Sequence, residues 1–156
     1  METTFTLIAT YNYRENYALL ANGDADTQNP HWKNKGHYNK VVAEGITVSD
    51  VLKHGSEHYA QLVNAHASKM EEANGYTEYT LLDFVLCERS DDVVAQIQAH
   101  LESVDDDNDM SKGRFIYNSY ELGITEEAMA WGLDVLAERG VIKITGDFYM
   151  EWVELL

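Results

Sequence analysis

Between Tyr76 and Cys87 the chain reads Y-T-E-Y-T-L-L-D-F-V-L-C, dense in aromatic and branched residues and too continuous at its end for a strand with one open face. The run predicts the central strand of a sheet, and the rest of the chain must supply its neighbours and its cover. Phe5 to Tyr13 (F-T-L-I-A-T-Y-N-Y) alternates as a strand does, and Tyr38 to Gly45 carries Val41 and Val42 ahead of a glycine; both predict strands. Between them, Ala21 to Lys35 holds Asn22-Gly23-Asp24 and Asn29-Pro30, which is turn chemistry and predicts a long loop.

The predicted cover is helical. Thr47 or Ser49 can cap a helix, Asp50 complements its dipole, and Val51, Leu52, Tyr59, Leu62, Val63 and Met70 recur at helical spacing up to Asn74-Gly75, with Gly55 as a kink. Ser90 caps a second helix, with Asp91 and Asp92 in its first turn and Val93, Val94, Ile97 and Leu101 as its apolar stripe. Asp105 to Asp109 predicts a solvated acidic loop. Beyond it come a short strand at Arg114 to Tyr117 and a helix capped by Thr125, with Met129, Leu133, Leu136 and Ala137 on one face and Gly140 as its stop. A hairpin of Val141 to Thr145 with Phe148 to Val153 turns around Gly146-Asp147.

A length of 156 residues, 45% of them hydrophobic, fills one ordinary domain or two small ones. The expectation is an α+β protein: a small mixed or antiparallel sheet packed by two helices, then a winged-helix-like helix and hairpin. Residues 1–104 and 110–156 form two parts, or one domain continuous across the acidic loop.

Charge is far from even. Residues 1 to 69 carry seven acidic and six basic side chains, and residues 70 to 156 carry twenty and five, so −15 of the formal −16 lies in the second part. That sign excludes a conventional DNA or RNA binder, which depends on releasing counterions from phosphates, and an anionic membrane repels it. It suits a face that meets a positively charged partner. The single cysteine, Cys87, has no internal partner. No apolar stretch approaches the roughly 18 residues of a spanning helix, and METTFTLIATYNYR lacks the basic start and cleavage site of a signal peptide. A reducing cytoplasm is the expected location.

Several motifs bear on chemistry. His54-Gly55-Ser56-Glu57-His58 resembles the H-x-x-E-H pattern of inverted zinc metallopeptidases, and helical spacing puts His54, His58 and His66 within an arc of about 120°. Those catalytic domains are much larger and Gly55 is awkward in a ligand helix, so solvent-facing histidines and no metal are expected. Asp105, Asp107 and Asp109 imitate a calcium loop, but Met110 replaces the turn glycine and Ile116 the bidentate glutamate. His66-Ala67-Ser68 matches only half of the paired signature of two-histidine phosphoesterases. Cys87 reads as core filling rather than as a nucleophile. No phosphate-cradling glycine loop is present, and no cofactor is expected. Arg14, Tyr17, Trp32, Lys33 and Lys35 concentrate cations and aromatics and form a candidate site for a nucleotide or other small anion.

Tyr13-Arg14-Glu15-Asn16-Tyr17 and Trp32-Lys33-Asn34-Lys35-Gly36 resemble the Y-R-E-N-Y and W-K-x-K-G segments shared by a group of small tailed-bacteriophage accessory proteins, with which no assigned activity travels. The order from Thr125 to Val153 is similar to the end of a winged-helix domain. Its would-be recognition helix departs from that pattern by carrying Glu126, Glu127, Asp134 and Glu138 against Arg139 alone, the wrong sign for DNA phosphates.

These readings converge on a non-enzymatic, phage-type inhibitor in the cytoplasm of an infected host, an anti-CRISPR or anti-restriction DNA mimic. Asp91, Asp92, Glu102, Asp105, Asp106, Asp107, Asp109, Glu126, Glu127, Asp134 and Glu138 would stand in for phosphates on a basic, nucleic-acid-binding host protein. The alternative is a small-anion or nucleotide-binding protein, or a hydrolase, using the Arg14/Trp32/Lys35 patch or the His54/Glu57/His58 cluster.

Overall fold

Thr4–Asn16 forms β1, and this strand, not the Tyr76–Cys87 run, lies at the centre of a three-stranded sheet. Thr6 and Ile8 are buried on one side and Leu7, Ala9 and Tyr11 on the other, as expected of a strand paired along both edges. In β2, Trp32–Thr47, Thr47 pairs antiparallel with Thr4, Tyr38 with Tyr11 and Trp32 with Asn16. β2 begins at Trp32 rather than Tyr38, so Lys33 and Lys35 stand on a strand and not in a loop. A register shift opposite Tyr13 and Arg14, made possible by Gly36 at φ +93°, absorbs one residue and lets pairing continue.

β3, Thr77–Arg89, takes the other edge, beginning where β1 ends: the Asn16 N–H donates to the Tyr76 carbonyl at 2.7 Å. Its alternation slips at Leu82–Asp83, so Tyr79, Leu81, Phe84 and Leu86 are half-buried while Leu82 and Val85 are exposed. The run imitates a central strand because one strand serves two packing units. Residues 4–86 form the first unit, and residues 1–3 with 87–156 form the second, to which the buried Cys87 and Arg89 belong. The structure is a computed structural model that describes residues 1–73, 75–104, 110–147 and 149–156.

In the first unit, Thr47 caps α1, Val48–Lys53, through a capping box: its hydroxyl accepts the Asp50 N–H at 3.1 Å while the Asp50 carboxylate accepts the Thr47 N–H. His54-Gly55 breaks the predicted single helix in two, and α2 follows as Ser56–Ala73. α2 buries Tyr59, Val63 and Ala67 against Leu7, Ala9 and Tyr11, and the Tyr11 hydroxyl donates to the Val63 carbonyl at 2.6 Å. Burial pushes the Tyr11 phenol up from its ordinary value.

The second helix expected on this sheet packs elsewhere. Ser90 does cap α3, Asp91–Ser103, but Val93, Val94, Ile97 and Leu101 enter the core of the second unit with Met129, Leu133 and Leu136. The two packing units meet in sequence at Leu86/Cys87; the acidic stretch 105–109 lies outside the described residues.

Arg114 to Tyr117, expected as a short strand, lies in the short helix α4, Lys112–Tyr117. Ser111 caps it by accepting the Arg114 N–H, and Phe115 is the one residue it buries, a helical rather than an alternating pattern. A 3₁₀ turn at Ser119–Leu122 leads to the Thr125-capped α5, Glu126–Glu138. The hairpin joins β4, Ile142–Gly146, to β5, Glu151–Leu155. Its second strand starts at Glu151 instead of Phe148, because the Asp147 carboxylate accepts the N–H groups of Tyr149 and Met150 and holds them in the turn; Phe148 itself is outside the described residues. Among the described residues, no helix is long and apolar enough to cross a membrane.

Candidate functional site

Once the units are known, the charge asymmetry follows them: the second unit holds seventeen carboxylates and five cations, the first ten and six. Three of the predicted acidic residues are engaged internally, two of them in ion pairs. Asp91 accepts from the Met1 ammonium at 2.5 Å and from Arg139 at 2.8 Å, and these partners hold its carboxyl below the usual range. Asp134 faces Lys112 at 3.5 Å, and the same ammonium reaches Glu151 at 3.8 Å, tying α4 to α5 and β5. Glu102 accepts from the Gln98 amide one turn away.

Asp92, Glu126 and Glu138 are exposed and Glu127 half-exposed. Asp92, Glu126 and Glu127 stand in first helical turns, where the helix dipole favours them. Their positions are thereby fixed by backbone, which suits recognition by a facing array of cations. Asp105, Asp106, Asp107 and Asp109 lie outside the described residues. Sequence reasoning missed the aromatics of this unit: Tyr149 is 90% exposed, Tyr117 72%, Tyr120 68% and Trp152 44%. Runs of aromatic and branched residues read as core, so no local signal separates these four from buried ones.

The basic and aromatic residues of the first unit divide into two groups. Arg14 lies over the Trp32 ring at 4.4 Å and is held by Glu78 through Nε at 2.8 Å and Nη2 at 2.5 Å. Tyr17 stands between Lys33, 5.1 Å from its ring, and Lys35, 5.6 Å from its ring and 3.0 Å from its hydroxyl. That hydroxyl bond, with the nearby Glu15 carboxylate, raises the Lys35 ammonium above its ordinary value. Arg14 pairs with Asn34 and Glu15 with Lys33; strand alternation sends these successive pairs to opposite faces. The five residues do not converge on one ligand. Tyr13, Tyr38 and Tyr79 form a ring cluster in the same unit, with Tyr13 stacked on Tyr79 at 5.8 Å.

Asn16 organises the connection from residue 17 to residue 31. Its buried side-chain oxygen accepts the N–H groups of Ala18 and His31 at 3.0 and 2.9 Å, and its amide donates to the Asp26 carbonyl at 2.9 Å.

His54 and His58 stack face to face, centroids 3.9 Å apart and planes 15° from parallel. Lone pairs on parallel rings do not converge on one ion as tetrahedral ligation requires, and His54 lies outside α2 because of the break at Gly55. Among the described residues, no three His, Cys, Asp or Glu side chains are grouped to hold a metal. Cys87 is buried, its sulfur 2.9 Å from the Thr125 hydroxyl and accepting from the guanidinium of Arg89 at 3.1 Å. Arg89 is itself buried and lies 5.2 Å over the Trp131 ring. These contacts join the end of β3 to the cap of α5 within the second unit.

Comparison of the chain with protein-family models, with curated proteins and with solved structures finds no match.

Proposed function

We propose that the second unit is a phosphate-mimicking surface through which a phage-encoded, non-enzymatic inhibitor covers the basic nucleic-acid-binding groove of a host defence protein of the restriction or CRISPR kind. The single observation that carries this reading is the concentration of seventeen carboxylates against five cations in one packing unit. Fixed carboxylates opposite Arg and Lys form charge-assisted hydrogen bonds and steer encounter over distance. The exposed Tyr117, Tyr120, Tyr149 and Trp152 supply the amphipathic anchors that protein interfaces favour. The helix and hairpin at the end of the chain keep the winged-helix comparison as part of the proposal, with acid where a DNA reader carries base.

The test uses the whole chain as bait in a bacterial lysate, eluted with duplex DNA. A captured protein that itself binds DNA, and loses that binding as the chain is added, supports the reading. Replacing Asp105, Asp106, Asp107 and Asp109 together by Asn should slow association, and changing Lys33 and Lys35 should leave it intact. Association insensitive to salt and to the aspartates but abolished by the lysine changes overturns it. That result would favour the small-anion reading, which in this fold rests on Tyr17, Lys33 and Lys35, since Glu78 already occupies Arg14.

A further inference from the structure

The first unit contains a groove between α2 and β2 that plays no part in the acidic surface. One cavity, of about 160 Å³, is lined by Val42, Ala43, Leu62, Ala65, His66 and Lys69. A second, of about 240 Å³, shares Ala43 and Leu62 with the first and continues past Ile46 and Tyr59 to Asp50, His54 and His58. Together they make a trough that is apolar along its middle, with Asp50, His54 and His58 at one end and His66 and Lys69 at the other.

Three observations single out the His66 and Lys69 end. Lys69 lies in the wall beside His66, and Lys40 stands opposite Ala9, a core residue under α2, which places it on the helix-facing side of β2. Among the described residues, no carboxylate lies within ion-pairing distance of either lysine, although the chain has 27 carboxylates to offer. The Nε2 atom of His66 is buried with no hydrogen-bond partner, a condition proteins ordinarily avoid. The charges of Lys40 and Lys69 also reach the imidazole: after burial, they are what holds His66 below its ordinary value.

Val42, Ala43, Leu62 and Ala65 offer nothing to the outer oxygens of a phosphate and much to a hydrocarbon. We propose that the groove binds a small organic monocarboxylate, its carboxylate held between Lys40 and Lys69 beside His66 and its aliphatic body lying along Val42, Ala43 and Leu62 toward the second cavity. The ammonium groups give the charge-assisted bonds and the trough gives the selectivity for a tail. Nothing in this assignment depends on the acidic unit.

The whole ¹⁵N-labelled chain titrated with octanoate, octanol, acetate and inorganic phosphate tests it. Octanoate should shift the amides of Val42, Ala43, Leu62, Ala65 and His66 saturably, with octanol and acetate each at least tenfold weaker and phosphate without effect on them. The double variant Lys40→Gln, Lys69→Gln, with its remaining amide spectrum unchanged, should bind octanoate at least tenfold more weakly. Octanol equal to octanoate would reduce the groove to an apolar cleft, and phosphate equal to octanoate would make it a bare anion site; either overturns the proposal. So does an absence of saturable shifts, or octanoate binding that survives loss of both lysines. The comparison of octanoate with octanol and acetate decides the matter in the unaltered chain should the double variant not fold.

Discussion

Gly132 of α5 lies so close to Ile97 of α3 that a Cβ added to the glycine would overlap Ile97 Cδ1. Both residues are buried in the second core, so the isoleucine has little room to turn away. Overpacking costs about 1–3 kcal/mol, while exchanging a mid-helix glycine for alanine returns about 1 kcal/mol. Gly132→Ala should therefore destabilise by up to about 2 kcal/mol in urea unfolding. In an Ile97→Val background, which removes the offending methyl group, the same change should become neutral or stabilising.

Asn16 makes three hydrogen bonds from a buried side chain. Asn16→Ala leaves two N–H groups and a carbonyl without their partner, at roughly 2–4 kcal/mol in all. Hydrogen exchange should show the Ala18 and His31 amides losing protection while Tyr11 and Leu7 keep theirs.

The place of β1 at the centre of the sheet makes two leucines unequal. Leu7 is fully buried and Leu82 is 49% exposed, so Leu7→Ala should cost about 2–5 kcal/mol and Leu82→Ala less than about 1 kcal/mol. Equal losses in denaturant unfolding would return the Tyr76–Cys87 run to the central position.

Burial, and then Lys40 and Lys69, lower the His66 imidazole, so near pH 6 the unfolded chain binds a proton that the folded chain refuses. The sign follows: this contribution is fully present above the ordinary histidine value of about 6.5 and is lost as pH falls from there toward the lowered folded value. His66→Gln should flatten the decline in stability between pH 7 and 5, as measured by unfolding across that range.

Much of the fold was legible because it rests on local rules. The caps Thr47, Ser90 and Thr125, the stripe Val93, Val94, Ile97 and Leu101, and the stop at Gly140 all occur where spacing and capping chemistry put them. Three of the failures share one cause, a dependence on partners distant in sequence. Hydrophobic continuity in β3 came from service to two cores; α3 packs on α5, far along the chain; and β2 starts at Trp32 because a bulge at Gly36 keeps it in register with β1. The charge asymmetry was readable from composition, but not that Asp91 and Asp134 would be taken up by Met1, Arg139 and Lys112. Nothing local announced that Lys40, His66 and Lys69 would share one groove.

β2 is an edge strand, and Lys33, Lys35 and Lys40 punctuate it. An exposed edge offers unpaired N–H and C=O groups to any passing strand, and lysines are a usual deterrent to such fibre-like growth. For most acidic proteins colloidal protection fails near the isoelectric point, where carboxylates take up protons and net repulsion vanishes. Here the deterrent on the edge has the opposite sign, and ammonium groups keep their charge throughout that acid range. Resistance to strand addition along β2 is thus decoupled from overall charge, so precipitate formed at the isoelectric point should hold no fibrils grown through that edge.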